Sequence, residues 1–190
     1  SYNRYILEYQ SALSEPDDAV QSAVLMETSF AEVSFPTVIL QVHSYIGDMM
    51  TKEAPDELEN FHLEPFKMKV QGVDRTLVDK VFAICDYYMQ DRVKKHSRHI
   101  YDIYKLLQIV PQTAEFRALI QEVRSVRAMT NICPSAQPEV NVPEMLNFLI
   151  DNEIYKDDYE KITARILEED VNYETAIEAV KKIAASGMFE

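Results

Sequence analysis

Hydrophobic residues recur at helical spacing along two neighbouring segments of the chain. In each segment they return every three or four positions, which at about 100° per residue forms one apolar stripe on a helix. The first stripe consists of Leu77, Val78, Val81, Cys85, Tyr88 and Met89, and the second of Ile100, Ile103, Tyr104 and Leu107. The polar run 90–97 separates the stripes. The pattern therefore predicts two helices joined by a short basic connection, with Asp74 as the N-cap of the first.

The segments before these helices alternate between apolar and polar residues, as β-strands do. Residues 2–11 and 20–30 predict two strands of a hairpin, with a turn at 14–18. Residues 38–50 begin like a strand and continue as a short helix. Residues 65–71 predict another strand that turns its apolar side chains inward and its lysines outward; the apolar ones are Phe66, Met68 and Val70.

Helical patterns dominate after Pro111. Thr113 is the expected cap of a helix, the prolines of residues 133–143 predict a linker, and three further helices are expected at 144–150, 157–168 and 173–185. Together these elements predict an α+β fold with a small mixed or antiparallel sheet packed with helices, followed by a C-terminal helical bundle. We expect a core domain at 1–110 and a helical subdomain at 111–190.

Composition narrows the classes of function. The chain has 190 residues, of which 47% are hydrophobic, enough for a sizeable core. Its 19 basic against 32 acidic residues give a net charge of -13, so any contact with nucleic acid must be local. There is no apolar run of about 18 residues and no signal peptide, so neither a membrane span nor secretion is expected. The 2 cysteines lack metal-ligand spacing and are expected to be reduced thiols in the cytoplasm.

Lys80 and Asp102 stand apart from the predicted core. Lys80 lies at the margin of the first stripe, and Asp102 lies away from the second, one turn after Arg98. Spacing alone favours a solvated lysine and a surface pair between Arg98 and Asp102, worth about 0.3–0.5 kcal/mol. The alternative is that Lys80 and Asp102 serve chemistry, and the pattern itself does not decide between these interpretations.

The order of residues around this pair resembles the C-terminal half of the AbiEii-type nucleotidyltransferases, the toxins of abortive-infection toxin and antitoxin pairs. The resemblance rests on two motifs in series, Thr76, Asp79 and Lys80, followed by Arg98, Tyr101 and Asp102. It extends through the flanking segments, including Asp157, Asp158 and Tyr159, and so covers nearly the whole chain.

The sequence also departs from that family. The Gly-Gly-Ser/Thr turn and the Asp-x-Asp pair that bind phosphates and metal in such enzymes are missing before Lys80, and the chain has only 3 glycines. We therefore expect the chain to be the C-terminal two-thirds of such a protein, with an incomplete nucleotidyltransferase-like core that is inactive alone.

The resemblance implies an enzyme that transfers a nucleotide from GTP or another nucleoside triphosphate (NTP) to a tRNA, another RNA or a protein acceptor. It further implies Mg²⁺ and restraint by a winged-helix antitoxin. Lys80 and Asp102 would be catalytic: Lys80 would offset phosphate charge. Asp102 would orient Lys80, help hold Mg²⁺ or accept the proton of the attacking hydroxyl.

Further site residues follow from the same resemblance. Arg98, Lys94 and Lys95 would contact phosphate groups, and Arg92 would extend this basic rim, although a solvated loop explains the rim of residues 92–95 equally well. Glu27 is a candidate metal ligand on a strand, but an edge-strand glutamate that faces water is the favoured interpretation. A different class of function also stays open, a non-catalytic helical interaction module in which Lys80 and Asp102 form a surface ion network.

Overall fold

The computed structural model of the protein describes residues 2–10, 23–29 and 36–190. The chain divides into two compact units. The small unit is Phe35–Val73, and the large unit combines Ser1–Ser34 with Asp74–Glu190. The predicted α+β fold is confirmed, since the described residues form helices and two separate antiparallel sheets of two strands each. The boundary expected at residue 110 stays a prediction.

The first sheet is the predicted hairpin. Strand β1, Tyr2–Glu8, pairs antiparallel with strand β2, Ala23–Ser29, and the register sets Arg4 opposite Glu27. The turn predicted at 14–18 lies outside the described residues.

The small unit contains the second sheet. Strand β3, Thr37–Val42, is followed by helix α1, Tyr45–Glu53, a short 3₁₀ turn and strand β4, Phe66–Gln71, which pairs with β3. A Cβ atom at Gly47 of α1 would lie 2.9 Å from the carbonyl oxygen of Leu63, so this close approach requires glycine. The predicted strand-to-helix change within residues 38–50 is confirmed.

The side chains of β4 correct one expectation. Phe66 is 57% exposed and Met68 is 49% exposed, whereas Val70 is half-buried. The prediction that all three point inward is wrong for the first two. A two-stranded sheet covers little of either face by itself, and sequence alternation does not show whether a second layer is present.

The large unit supplies the main helices. They are α2, Val73–Met89; α3, Arg98–Leu107; α4, Ala114–Ala128; α5, Val142–Asp151; α6, residues 156–166, with a π turn over Tyr159–Thr163; and α7, Tyr173–Ala185. Helices α3 and α5 both pack on α7. The C-terminal helices are therefore close to their predicted positions.

Helix α2 buries most of its predicted stripe. Its first four apolar residues are fully buried, namely Leu77, Val78, Val81 and Cys85. Phe82 and Ile84 are also fully buried although they lie outside the stripe, so α2 is enclosed over a wider face than its periodicity indicated. The helix begins at Val73, which places Asp74 in the first turn and not at the N-cap.

The segment predicted as a linker is part of the core. Ser135 and Ala136 are buried, and Arg124 of α4 donates hydrogen bonds to the carbonyl oxygens of Gln137 at 3.0 Å and Val140 at 2.7 Å. The linker prediction is therefore wrong, because prolines also occur in tightly packed turns. At the start of α4, Thr113 caps the helix as predicted.

Candidate active site

Lys80 and Asp102 meet across two successive helices of the large unit. The Lys80 Nζ lies 2.7 Å from Asp102 Oδ2, and the two side chains are 27% and 32% exposed. Helix α2 carries Lys80 beside its buried stripe, and α3 carries Asp102 next to the buried Ile103. The ion pair is therefore at the edge of the core, where a ligand can reach it. The predicted convergence of these two groups is present, and their catalytic role stays a prediction.

His99 is a third member of this cluster. Its Nδ1 lies 3.2 Å from Lys80 Nζ and 3.3 Å from Asp102 Oδ2, and its side chain is only 8% exposed. Sequence reasoning missed this residue. The available signal was its position three residues before Asp102, since side chains at that spacing share one face of a helix.

The surroundings set the protonation of both partners at neutral pH. Burial raises the pKa of Asp102, but the hydrogen bond from Lys80 and its positive charge act in the opposite direction, and the pKa lies below its usual value. Burial is the largest influence on His99, and with the charge of Lys80 it outweighs the attraction of Asp102, so the pKa of His99 is lowered. The cluster therefore combines a carboxylate with a neutral imidazole.

The imidazole of His99 belongs to a row of stacked rings. The Tyr87 ring lies nearly parallel to it, with 5.6 Å between ring centroids and 5° between planes. His96 stacks on Tyr87 at 3.6 Å, and its buried Nδ1 has no hydrogen-bond partner among the described residues. Burial also lowers the pKa of His96. The stack restricts the plane of the His99 ring.

The two adjacent motif residues Asp79 and Lys80 have different surroundings. Asp79 Oδ1 accepts a hydrogen bond from Arg127 Nη1 at 2.9 Å, and Asp79 Oδ2 accepts one from Arg75 Nε at 3.1 Å. Arg127 also donates to Asp86 Oδ2 at 2.9 Å. Asp79 and Arg127 therefore join α2 to α4, while Lys80 faces Asp102 on α3.

The connection between α2 and α3 is fixed by Asp158 of α6. Asp158 is buried, and its two carboxylate oxygens accept hydrogen bonds from the backbone N–H groups of Lys95 at 2.7 Å and Ser97 at 3.1 Å. The Ser97 and Thr163 hydroxyl groups are 2.7 Å apart. These contacts tie the predicted basic rim to the π turn of α6.

The basic side chains of this rim are exposed, namely those of Arg92, Lys94, Lys95 and Arg98. The carboxylate of Asp102 pairs with Lys80 from the neighbouring helix and not with Arg98 of its own helix. This leaves the phosphate-binding roles of Arg98, Lys94 and Lys95 as predictions.

The described residues do not fit a magnesium site. They contain no group of three or more His, Cys, Asp or Glu side chains arranged to hold a metal ion. Glu27 Oε1 lies 3.6 Å from Arg4 Nε on the neighbouring strand, with 46% of the Glu27 side chain exposed. Asp102 supplies a single carboxylate that already contacts a cation. Neither side chain is therefore part of a metal site formed by the described residues, and the metal roles of Glu27 and Asp102 stay predictions.

Comparison with known protein families places the chain in a class of nucleotidyltransferase toxins. The family described as "Nucleotidyl transferase AbiEii toxin, Type IV TA system" matches residues 1–183, nearly the whole chain and not only a C-terminal part of it. The chain belongs to this AbiEii family. No curated protein and no solved structure matches it. Within the residues that the structure describes, no helix is long and apolar enough to cross a membrane.

Proposed function

We propose that the Lys80 and Asp102 cluster binds the phosphate groups of an NTP, with GTP as the first candidate, during nucleotidyl transfer. In this reaction an acceptor oxygen forms a bond to the α-phosphorus while the bond to pyrophosphate breaks and pyrophosphate leaves. The observation that carries the proposal is the 2.7 Å contact between Lys80 Nζ and Asp102 Oδ2 at the partly exposed edge of the core. An ammonium group held there offsets charge on the phosphate oxygens.

Of the three roles open for Asp102, we propose that it orients Lys80. The lowered pKa of Asp102 keeps its carboxylate ionised at neutral pH. A carboxylate with a lowered pKa is a weak general base, since proton transfer is most efficient when the pKa lies near the working pH. The direct contact with Lys80 supports an orienting role instead.

The remaining assignments rest on the family. The exposed side chains of Arg98, Lys94 and Lys95 would contact phosphate groups of the NTP or of a tRNA or other RNA acceptor; a protein acceptor is the alternative. A local basic rim suits such a contact in a chain whose net charge is -13. Family membership implies an antitoxin, which we propose to be a winged-helix protein, and we propose that the enzyme acts in the cytoplasm.

We further propose that transfer requires Mg²⁺ held by acidic residues that the described part of the chain does not supply. The 190-residue chain alone would then bind a triphosphate but not transfer a nucleotide. This is supported by the missing Asp-x-Asp pair in the sequence and by the single carboxylate of the cluster.

The test is transfer of label from an α-labelled triphosphate by the full-length protein. We expect Lys80→Ala and Asp102→Ala each to abolish labelling of RNA or protein while the melting temperature stays within a few degrees of wild type, because partly exposed ion pairs contribute little stability. Lys105→Ala is the matched control, since Lys105 forms a surface pair with Glu169 at 2.8 Å. Full activity in both site variants, or loss only through unfolding, would favour the helical interaction module.

A further inference from the structure

We propose that His99 is a positioning residue that holds the Lys80 ammonium group through its Nδ1, with the ring proton on Nε2. The inference deepens the proposed function, because its purpose is to fix the ammonium group for a phosphate oxygen. Three atoms of the cluster lie within hydrogen-bond distance of one another. Lys80 Nζ lies 2.7 Å from Asp102 Oδ2 and 3.2 Å from His99 Nδ1.

Electrostatics selects the tautomer of His99. A proton on Nδ1 would point toward Asp102 Oδ2 at 3.3 Å but would also place a partial positive charge beside the ammonium group. A lone pair on Nδ1 accepts a hydrogen bond from that group, while Asp102 keeps its shorter contact with Lys80. A neutral imidazole has one N–H and one acceptor nitrogen, and its acceptor belongs on the side of the cation.

The protein holds the ring in the orientation that this contact needs. His99 is almost fully buried, and the parallel Tyr87 ring lies 5.6 Å away between centroids. His96 stacks on Tyr87 at 3.6 Å and extends the packed rings. A ring packed in this way stays in one rotamer, so Nδ1 remains a fixed acceptor.

The hydrogen-bond capacity of Lys80 shows what this arrangement achieves. An ammonium group has three N–H donors. Asp102 Oδ2 and His99 Nδ1 take two of them, which directs the third to a phosphate oxygen. Because imidazole is a neutral acceptor, it orients the ammonium group without cancelling its charge, whereas a second carboxylate would add a negative charge that repels the phosphates.

Nuclear magnetic resonance (NMR) of the 190-residue chain tests the contact without any need for activity. The ¹⁵N shifts of the His99 ring are expected to show a protonated Nε2 and a bare Nδ1. The hydrogens of the Lys80 ammonium group are expected to exchange with water about tenfold faster in His99→Phe, which keeps the stacking but removes the acceptor. His99→Asn, whose amide oxygen replaces Nδ1, should restore slow exchange. His96→Phe is the matched control, because His96 belongs to the same stack but its Nδ1 has no hydrogen-bond partner within the described part of the chain.

Two results would overturn the proposal: a proton on Nδ1 in the wild type, or unchanged exchange at Lys80 in a folded His99→Phe.

GTP titration then separates the positioning role of His99 from the proposed function. We expect His99→Phe to weaken GTP binding about tenfold, with His99→Asn within about twofold of wild type. A wild type that binds no GTP would contradict the proposed function while the NMR result still decides the role of His99. Equal GTP binding by wild type and His99→Phe would refute positioning for the ligand.

Discussion

Replacing Asp86 by alanine should remove the contact that fixes α2 against α4 and the turn at 134–136. Asp86 is buried and accepts three hydrogen bonds, from Arg127 Nη2 at 2.9 Å, the Ser135 backbone N–H at 2.8 Å and Ser135 Oγ at 2.6 Å. The same helix carries Lys80, so this contact also fixes the surface from which the candidate site is built.

The loss of stability follows from the groups that Asp86→Ala leaves without the Asp86 carboxylate, which are the Arg127 guanidinium and the Ser135 backbone N–H. Removing one partner of a buried ion pair costs about 3–5 kcal/mol, and an unsatisfied buried N–H group costs about 1–3 kcal/mol. The two costs do not add in full, because Arg127 keeps its 2.9 Å contact with Asp79 and is not left without a carboxylate partner. We therefore expect Asp86→Ala to lower the free energy of unfolding by about 4 kcal/mol. This is a large part of the total for a typical domain, which unfolds with a free energy of about 5–15 kcal/mol.

Urea unfolding followed by circular dichroism measures this change. The midpoint should fall while the dependence of the free energy on urea stays constant. The matched control is Asp157→Ala, because Asp157 is an exposed aspartate paired with Lys161 on the surface of α6, and it should leave the midpoint unchanged. A loss below about 1 kcal/mol for Asp86→Ala would refute the structural role of this network.

Three further predictions concern single side chains. The pKa of Asp102 in the folded protein is lowered from 3.8, so its ionised carboxylate should make the wild type more stable than Asp102→Asn by up to about 1 kcal/mol above that pH. This difference in stability should disappear as the pH falls through the folded pKa. A difference that grows in acid would contradict the prediction. Tyr155→Phe removes a buried 2.6 Å hydrogen bond to the carbonyl oxygen of Ile84 and should cost about 1–2 kcal/mol in the urea assay, with no loss as the opposing result. Burial raises the pKa of the Cys85 and Cys133 thiols. A thiol reagent should therefore modify the half-buried Cys133 slowly and the fully buried Cys85 only after unfolding. Equal modification rates for the two thiols would contradict the burial of Cys85.

Helical periodicity predicts which residues form the core, but it does not by itself identify the candidate site. It assigned Leu77 and Val81 to the core, and the structure buries both completely. Lys80 lies at the margin of one stripe and Asp102 lies away from the other, so neither residue is required to fill the core. The family motif predicts that both helices contribute to one site, and the 2.7 Å contact between Lys80 Nζ and Asp102 Oδ2 agrees with this prediction.

Periodicity could not predict the partners of the buried polar groups. Asp158 reaches the backbone of Lys95 across 63 positions, and Asp86 reaches Ser135 across 49. A pattern along one helix shows which face is polar, but not which distant backbone group comes to that face. His99 was missed for a related reason, since its spacing places it on the same face of α3 as Asp102 but does not show that Lys80 of α2 contacts both residues.

The alternation of β4 predicted the strand correctly but not its burial. Phe66 and Met68 lie on one face of the strand, as expected, and both are exposed. Alternation distinguishes the two faces of a strand without showing whether either face is covered.

GTP binding by Lys80→Ala tests the central claim most directly. We measure it by isothermal titration calorimetry, beside wild type and Lys105→Ala, with the fold of each protein checked by its melting temperature. We expect Lys80→Ala to weaken GTP binding at least about tenfold, because one charge-assisted hydrogen bond to phosphate is lost, and we expect Lys105→Ala to bind like wild type. Equal affinity of wild type and a folded Lys80→Ala would contradict the claim that this ammonium group binds the triphosphate.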